Sequence, residues 1–205
     1  MKFYNRDTEL ELLQTLHEQS KRQARMTVLT GRRRMGKTYL SIHFAKDQKY
    51  LYLFVAKKSE SLLCEEYLAE IKEMFNIPVV GKISTFKEIF HLLLDIGKKE
   101  HLTVIIDEFQ EFFNINPSIY SDMQKLWDLN KKSKLHFIAV GSVYSLMHKI
   151  FEDNKEPLFG RADRIIHLKS FRIQTLSTIL KDNKIKPTKS LFDYYVFINY
   201  WYSLC

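Results

Sequence analysis

The segment Gly31-Arg-Arg-Arg-Met-Gly-Lys-Thr38 carries the pattern GxxxxGK[ST], a spacing suited to holding a polyphosphate. Its two glycines permit positive φ angles and close backbone approach, so successive N–H groups can wrap phosphate oxygens. On this reading Gly31, Arg32, Arg33, Arg34, Met35, Gly36, Lys37, Thr38 and Tyr39 line the cradle. Lys37 reaches the β- and γ-phosphates and the Thr38 hydroxyl ligates Mg²⁺. A second group, Asp107-Glu108, closes an apolar run. Asp107 is placed to manage the metal, through water or through the Thr38 hydroxyl. Glu108 is placed to act as base or positioner for an attacking water. The same carboxylates would also suit the cap and first turn of a following helix. Ser142 ends a third apolar run. If that run lies between the other two, Ser142 points at the γ-phosphate; otherwise Gly141-Ser142 is an ordinary turn.

These residues need particular elements beneath them. Residues 26–30 read as a buried strand entering the loop, and residues 39–46 as a helix leaving it, with Leu40 and Phe44 on one face. The β-branched run 103–106 predicts a parallel strand covered on both faces, delivering Asp107 to the carboxyl edge where ligands bind in open α/β sheets. A helix opens near Asn5, where Thr8 and Glu11 have capping-box spacing and Leu10, Leu13 and Leu16 mark a buried side. Residues 49–55 predict a strand. A helix carrying Tyr67, Ile71, Met74 and Phe75 then stops before Pro78. Another starts at the Thr85/Glu88 pair, carries Phe86, Ile89, Phe90, Leu93 and Leu94, and ends near Gly97-Lys98-Lys99. After a break at 114–118, Met123, Leu126 and Trp127 mark a helix leading into a strand at 135–140. A short helix at 145–151, a loop at 157–161 and a fifth strand at 164–168 follow. From Phe171 the pattern is helical, with a break at 184–187. Strands alternating with helices predict an α/β fold, a doubly wound five-stranded parallel sheet with helices on both faces.

Composition narrows the class. The 205 residues are 45% hydrophobic, which supports a packed core and argues against disorder. No apolar run approaches the ~18 residues of a membrane span, and residues 1–6 lack a signal-peptide core. Cys64 and Cys205 form neither a metal spacing nor a disulfide framework, so a reducing, cytoplasmic setting is expected. The charge of +8 is compatible with a polyanionic partner. The basic residues are nevertheless dispersed, apart from Lys21/Arg22/Arg25 and the loop arginines, and no nucleic-acid reading motif is present.

Taken in order, Phe3-Tyr-Asn-Arg-Asp-Thr-Glu-Leu10, the Gly31–Thr38 loop, Ile106-Asp-Glu-Phe-Gln110, Val140-Gly-Ser142 and Pro157-Leu-Phe-Gly-Arg161 resemble the archaeal-type ATPases. These are prokaryotic P-loop proteins related to the STAND and AAA+ classes. The resemblance covers roughly residues 3–172. It implies that the strand at 135–140 inserts between those at 26–30 and 103–106. It also implies that Asn5 and Arg6 lie near the base or ribose of ATP, and that Arg161 approaches the γ-phosphate in its own subunit or a neighbour's. Arg6 could equally be an ordinary helix-start residue, and Arg161 a surface residue or a salt bridge at the sheet edge. Relatives continue into a winged helix; the aromatic stretch 192–205 departs from that pattern and would need to dock or pair. The expected division is a P-loop ATPase core at 1–170 and an incomplete helical lid at 171–205.

The function implied is ATP binding and slow, Mg²⁺-dependent hydrolysis that switches conformation, with Glu108, Lys37, Ser142 and Arg161 as catalytic candidates and ATP and Mg²⁺ as cofactors. A homo-oligomer or a protein partner could use the aromatic stretch. One competing reading is a nucleotide-binding module without hydrolysis, or the remnant of a larger ATPase that lost a DNA-binding output domain. A small-molecule phosphotransferase is less suited to the Asp107-Glu108 pair, which favours water activation.

Overall fold

Alternating side chains along five apolar segments build the sheet. The computed structural model describes residues 4–77, 81–186, 188–191 and 193. The chain divides into two compact units, residues 8–168 and residues 1–7 with 169–205.

In the larger unit, β1 (Arg25–Thr30), β2 (Tyr50–Phe54), β3 (Leu102–Asp107), β4 (Leu135–Gly141) and β5 (Arg164–His167) form one parallel sheet in the order β2-β3-β4-β1-β5. The expected insertion of β4 between β1 and β3 is therefore present. On one face Val28, Leu53, Val104, Ile106, Phe137 and Ala139 join a core with Tyr67, Phe86, Phe90 and Trp127. These come from α3 (Glu60–Phe75), α4 (Phe86–Lys99) and α6 (Ser118–Leu129). The alternate residues, Leu29, Ile105, Ile138 and Val140, are also buried. Their face is covered by α1 (Asp7–Ser20) and α2 (Lys37–Ala45), where the Phe44 ring meets His17 and His136, each at 5.8 Å between centroids. Cover on both faces is what strands this uniformly apolar require. The short helices α5 (Phe112–Ile115) and α7 (Tyr144–Glu152) complete this unit.

Local signals mark most elements but not every boundary. The Thr85/Glu88 capping box is present, and the five apolar residues expected beneath α4 are all buried. At α1 the expectation fails: the helix begins at Asp7, so Thr8 lies inside its first turn, and Leu10 is only half-buried while Leu13 and Leu16 are buried. In α3, Tyr67 and Ile71 are buried but Met74 is 39% exposed. That helix closes at Asn76 in the left-handed conformation, φ 49°, ahead of Pro78, which lies outside the described residues. Gly97 is not a terminator. It sits inside α4, where an added Cβ would strike the Ser133 hydroxyl that donates to Leu94 O at 2.8 Å. Close packing, not chain reversal, selects glycine there.

In the smaller unit, α8 (Ile173–Asp182) has no buried residue. Tyr4 donates its hydroxyl to Asp182 Oδ2 at 3.0 Å. Apart from Asp193, the aromatic stretch 192–205 lies outside the described residues, as does Pro187. No helix among the described residues is long and apolar enough to cross a membrane.

Candidate functional site at the carboxyl edge of the sheet

The loop that follows β1 has glycine at both ends for different reasons. Gly31 has φ 149°, and a Cβ there would lie 2.5 Å from Leu168 O, just beyond β5. Gly36 has φ 82° with nothing within 4 Å, so its conformation, not crowding, excludes a side chain. Gly36 is also the N-cap of α2, and no side chain caps that helix or places an acid in its first turn. An uncapped N-terminus presents N–H groups and the positive dipole end to an anion. Arg34 adopts φ 64°, unusual for a residue with a Cβ.

Lys37 is buried, and its ammonium donates to Gly31 O and Arg32 O, both at 2.7 Å. Burial pulls its pKa below the usual lysine range; Glu108 and Asp107 oppose that shift, and Arg33 adds to it. The two carboxylates therefore lie close enough for their charge to be felt at the loop lysine.

At the end of β3, Asp107 is buried and accepts three hydrogen bonds. Oδ2 accepts from the Thr38 hydroxyl at 2.5 Å and from the Tyr52 hydroxyl at 3.0 Å, while Oδ1 accepts from the Glu108 amide at 2.8 Å. Burial first, then the Asp107 carboxylate, push the Tyr52 phenol well above its ordinary value, so it stays a donor. Glu108 takes the left-handed conformation at φ 53°, a cost sustained only where neighbours over-determine the backbone. Its carboxylate accepts from the Ser142 hydroxyl at 2.8 and 3.1 Å, and from the Gln110 side-chain amide.

The structure thus gathers Lys37, Thr38, Asp107, Glu108 and Ser142 at one sheet edge. It does not bring Arg161 there. The Arg161 guanidinium pairs with Asp128 at 2.8 Å and donates to Phe159 O at 2.9 Å. Two residues on, Asp163 accepts from Met26 N at 2.8 Å and pairs with Arg25 at 2.6 Å. That is the amino end of β1, separated from the loop by the strand's length, about 17 Å at about 3.3 Å per residue. Within one subunit Arg161 is a partly exposed residue paired with Asp128 of α6, not with the sheet edge. Asn5 and Arg6 belong to the smaller unit, where Arg6 donates to Lys169 O at 2.7 Å and lies 4.7 Å from the Phe171 ring centre.

Sequence reasoning missed the roles of Tyr52 and Gln110. Tyr52 sits in a strand whose aromatic content reads as ordinary core. Gln110 was a clearer signal: a polar residue that follows Phe109 and precedes Glu111-Phe112 must find partners once buried.

The oxygen donors Thr38 and Asp107 fit a hard cation such as Mg²⁺. Among the described residues, no group of three or more His, Cys, Asp or Glu could hold a metal by itself. Such an ion would therefore keep water and phosphate oxygens in the rest of its shell, as Mg²⁺ commonly does.

A family model described as an ATPase domain predominantly from Archaea matches residues 3–194. An uncharacterised protein of Methanocaldococcus jannaschii, MJECL04, is 25% identical over 175 residues, covering 85% of this chain and 37% of that protein. Among solved structures, the Walker-type ATPase PABY2304 of Pyrococcus abyssi superposes with a TM-score of 0.66 at 20% identity, over 92% of this chain and 61% of that one. Cdc6p from Pyrobaculum aerophilum superposes with a TM-score of 0.62 at 18% identity, over 87% of this chain and 48% of that one. Identities this low establish a shared fold, that of a P-loop NTPase. The chain spans little more than a third of the first relative's length.

Proposed function

The chain belongs to the family of ATPase domains found predominantly in Archaea, and on that premise we propose that it binds ATP with Mg²⁺, hydrolyses it slowly and thereby switches conformation. The observation that carries the reading is the Thr38–Asp107 hydrogen bond of 2.5 Å, which sets the loop against the acidic end of β3. Filling the loop with a polyphosphate would draw the Lys37 ammonium from Gly31 O and Arg32 O to phosphate oxygens of greater negative charge. Thr38 and Asp107 would hold Mg²⁺, which supplies charge neutralisation at the phosphates when bound. Glu108 would orient a water whose oxygen adds to the γ-phosphorus. The bond from that phosphorus to the β,γ-bridging oxygen breaks, ADP leaves with the electron pair, and the water's proton passes through Glu108 to solvent. Ser142 would donate to the γ-phosphate and so distinguish ATP from ADP. A group that contacts one nucleotide better than the other can bias a two-state element, and only to that extent.

One observation favours binding without hydrolysis: the Ser142 hydroxyl lies against both oxygens of the Glu108 carboxylate, on the side where it would otherwise meet the γ-phosphate. The two readings separate in a phosphate-release assay on the wild type, Lys37→Ala and Glu108→Gln. Hydrolysis predicts release that disappears in Lys37→Ala, and retained ATP binding with at least about 100-fold slower release in Glu108→Gln. No Lys37-dependent release from the wild type would leave the binding module as the function.

A further inference from the structure

Gln110 lies in the 3₁₀ turn Phe109–Glu111 just past β3 and has no exposed surface. A buried primary amide must pair at both ends or lose the hydration it had in the unfolded chain. Here it pairs with the two groups that matter most. Its nitrogen donates to the Glu108 carboxylate, and its oxygen accepts from Ser142 N at 3.3 Å. One side chain therefore ties the end of β3 to the end of β4. Gly141 makes room for it: a Cβ there would stand 2.7 Å from Gln110 Oε1 and collide with Met147.

The Ser142 hydroxyl has a single proton, now given to Glu108. It cannot donate that proton to a γ-phosphate and to Glu108 together. When it turns to phosphate, Glu108 loses one of its restraints while keeping a left-handed backbone that needs support. The Gln110 amide has no such conflict, because its donor and acceptor ends are separate atoms.

We propose that Gln110 is a positioning residue of the hydrolytic site: its amide keeps the Glu108 carboxylate aimed at water while Ser142 leaves it for the γ-phosphate. This rests on the ATPase reading above. Gln110 acts through Glu108 and does not itself touch ATP.

The test compares the wild type, Gln110→Met and Gln110→Glu, with Lys37→Ala as blank. Steady-state phosphate release gives kcat, and a fluorescent ATP analogue with Mg²⁺ gives Kd. Methionine has nearly the length and volume of glutamine and no amide, so it preserves packing and removes both hydrogen bonds. The expected result is a kcat lower by about 10–100-fold with Kd changed less than about threefold. In Gln110→Glu the side chain keeps its length but repels the Glu108 carboxylate where glutamine donated to it, so kcat should fall at least as far as in Gln110→Met. A purely structural role would move kcat and Kd together, not kcat alone.

Wild-type kcat in either Gln110 variant overturns the positioning role while leaving the ATPase reading intact. Loss of ATP binding or of folding in both variants overturns it as well, assigning Gln110 to the fold. Absence of Lys37-dependent release from the wild type removes both proposals together.

Discussion

The Thr38 hydroxyl donates to Asp107 Oδ2 at 2.5 Å, joining the first turn of α2 to the last residue of β3. Tyr52 donates to the same oxygen and the Glu108 amide to the other, so three donors fix the orientation of the Asp107 carboxylate. Asp107→Asn removes the charge and keeps the shape. It should weaken Mg²⁺-dependent phosphate release by about 10–100-fold, read from a Mg²⁺ titration at saturating ATP. An unaltered Mg²⁺ dependence would exclude Asp107 from the metal's environment.

The two loop glycines should tolerate a methyl group unequally. Alanine at Gly31 meets Leu168 O at 2.5 Å in addition to an unfavourable φ, whereas alanine at Gly36 meets only the unfavourable φ. Gly36→Ala is expected to cost about 1–2 kcal/mol in urea unfolding without nucleotide, and Gly31→Ala more than that. Equal costs would mean that the contact between the loop and the end of β5 is looser than it stands here.

Three histidines cluster where α1 meets the sheet: His17 of α1 and His136 of β4 are buried, and His101 is half-buried. The His17 ring lies 4.3 Å from that of His101 and 6.1 Å from that of His136. Thr103, Ser20 and Thr27 are their hydrogen-bond partners, and His136 Nδ1 has none. Burial lowers all three pKa values, to about 4 for His17 and about 3 for His136. Below pH about 6.5 the unfolded chain therefore takes up protons that the folded one refuses. Stability should be complete above that pH and fall as the solution is acidified towards pH 4, by up to about 1.4 kcal/mol per unit for each histidine. Urea midpoints at three pH values check the slope, and His136→Gln should flatten it. A midpoint independent of pH between 7 and 5 would contradict the neutral, buried assignment.

Arg161 pairs with Asp128 across a partly exposed surface. Arg161→Ala should cost no more than about 1 kcal/mol of stability. Any effect on hydrolysis should appear only at protein concentrations where subunits associate, since the residue faces away from its own loop. A lower kcat at high dilution would require Arg161 to reach the site within one subunit.

The chain determines by itself the features that depend on neighbours in sequence. The Gly31–Thr38 loop, the Asp107-Glu108 pair, the five strands and the Thr85/Glu88 capping box are all legible, because period, propensity and capping act over a few residues. Gly97 as a terminator, Met74 as a core residue and Thr8 as a cap fail for the converse reason, although α1 starts and α4 ends close to where expected. Each obeys a local rule that packing overrides, as when Gly97 is set by Ser133 across α4. Tyr52, Gln110 and the Arg161–Asp128 pair belong wholly to tertiary structure. Tyr52 meets Asp107, Gln110 meets Ser142 and Arg161 meets Asp128 across more than 30 residues, and only the strand order β2-β3-β4-β1-β5 brings the ends of β2, β3 and β4 side by side. A hydrogen bond is made where the fold leaves two polar groups within about 3 Å without water, and no spacing along the chain encodes that distance.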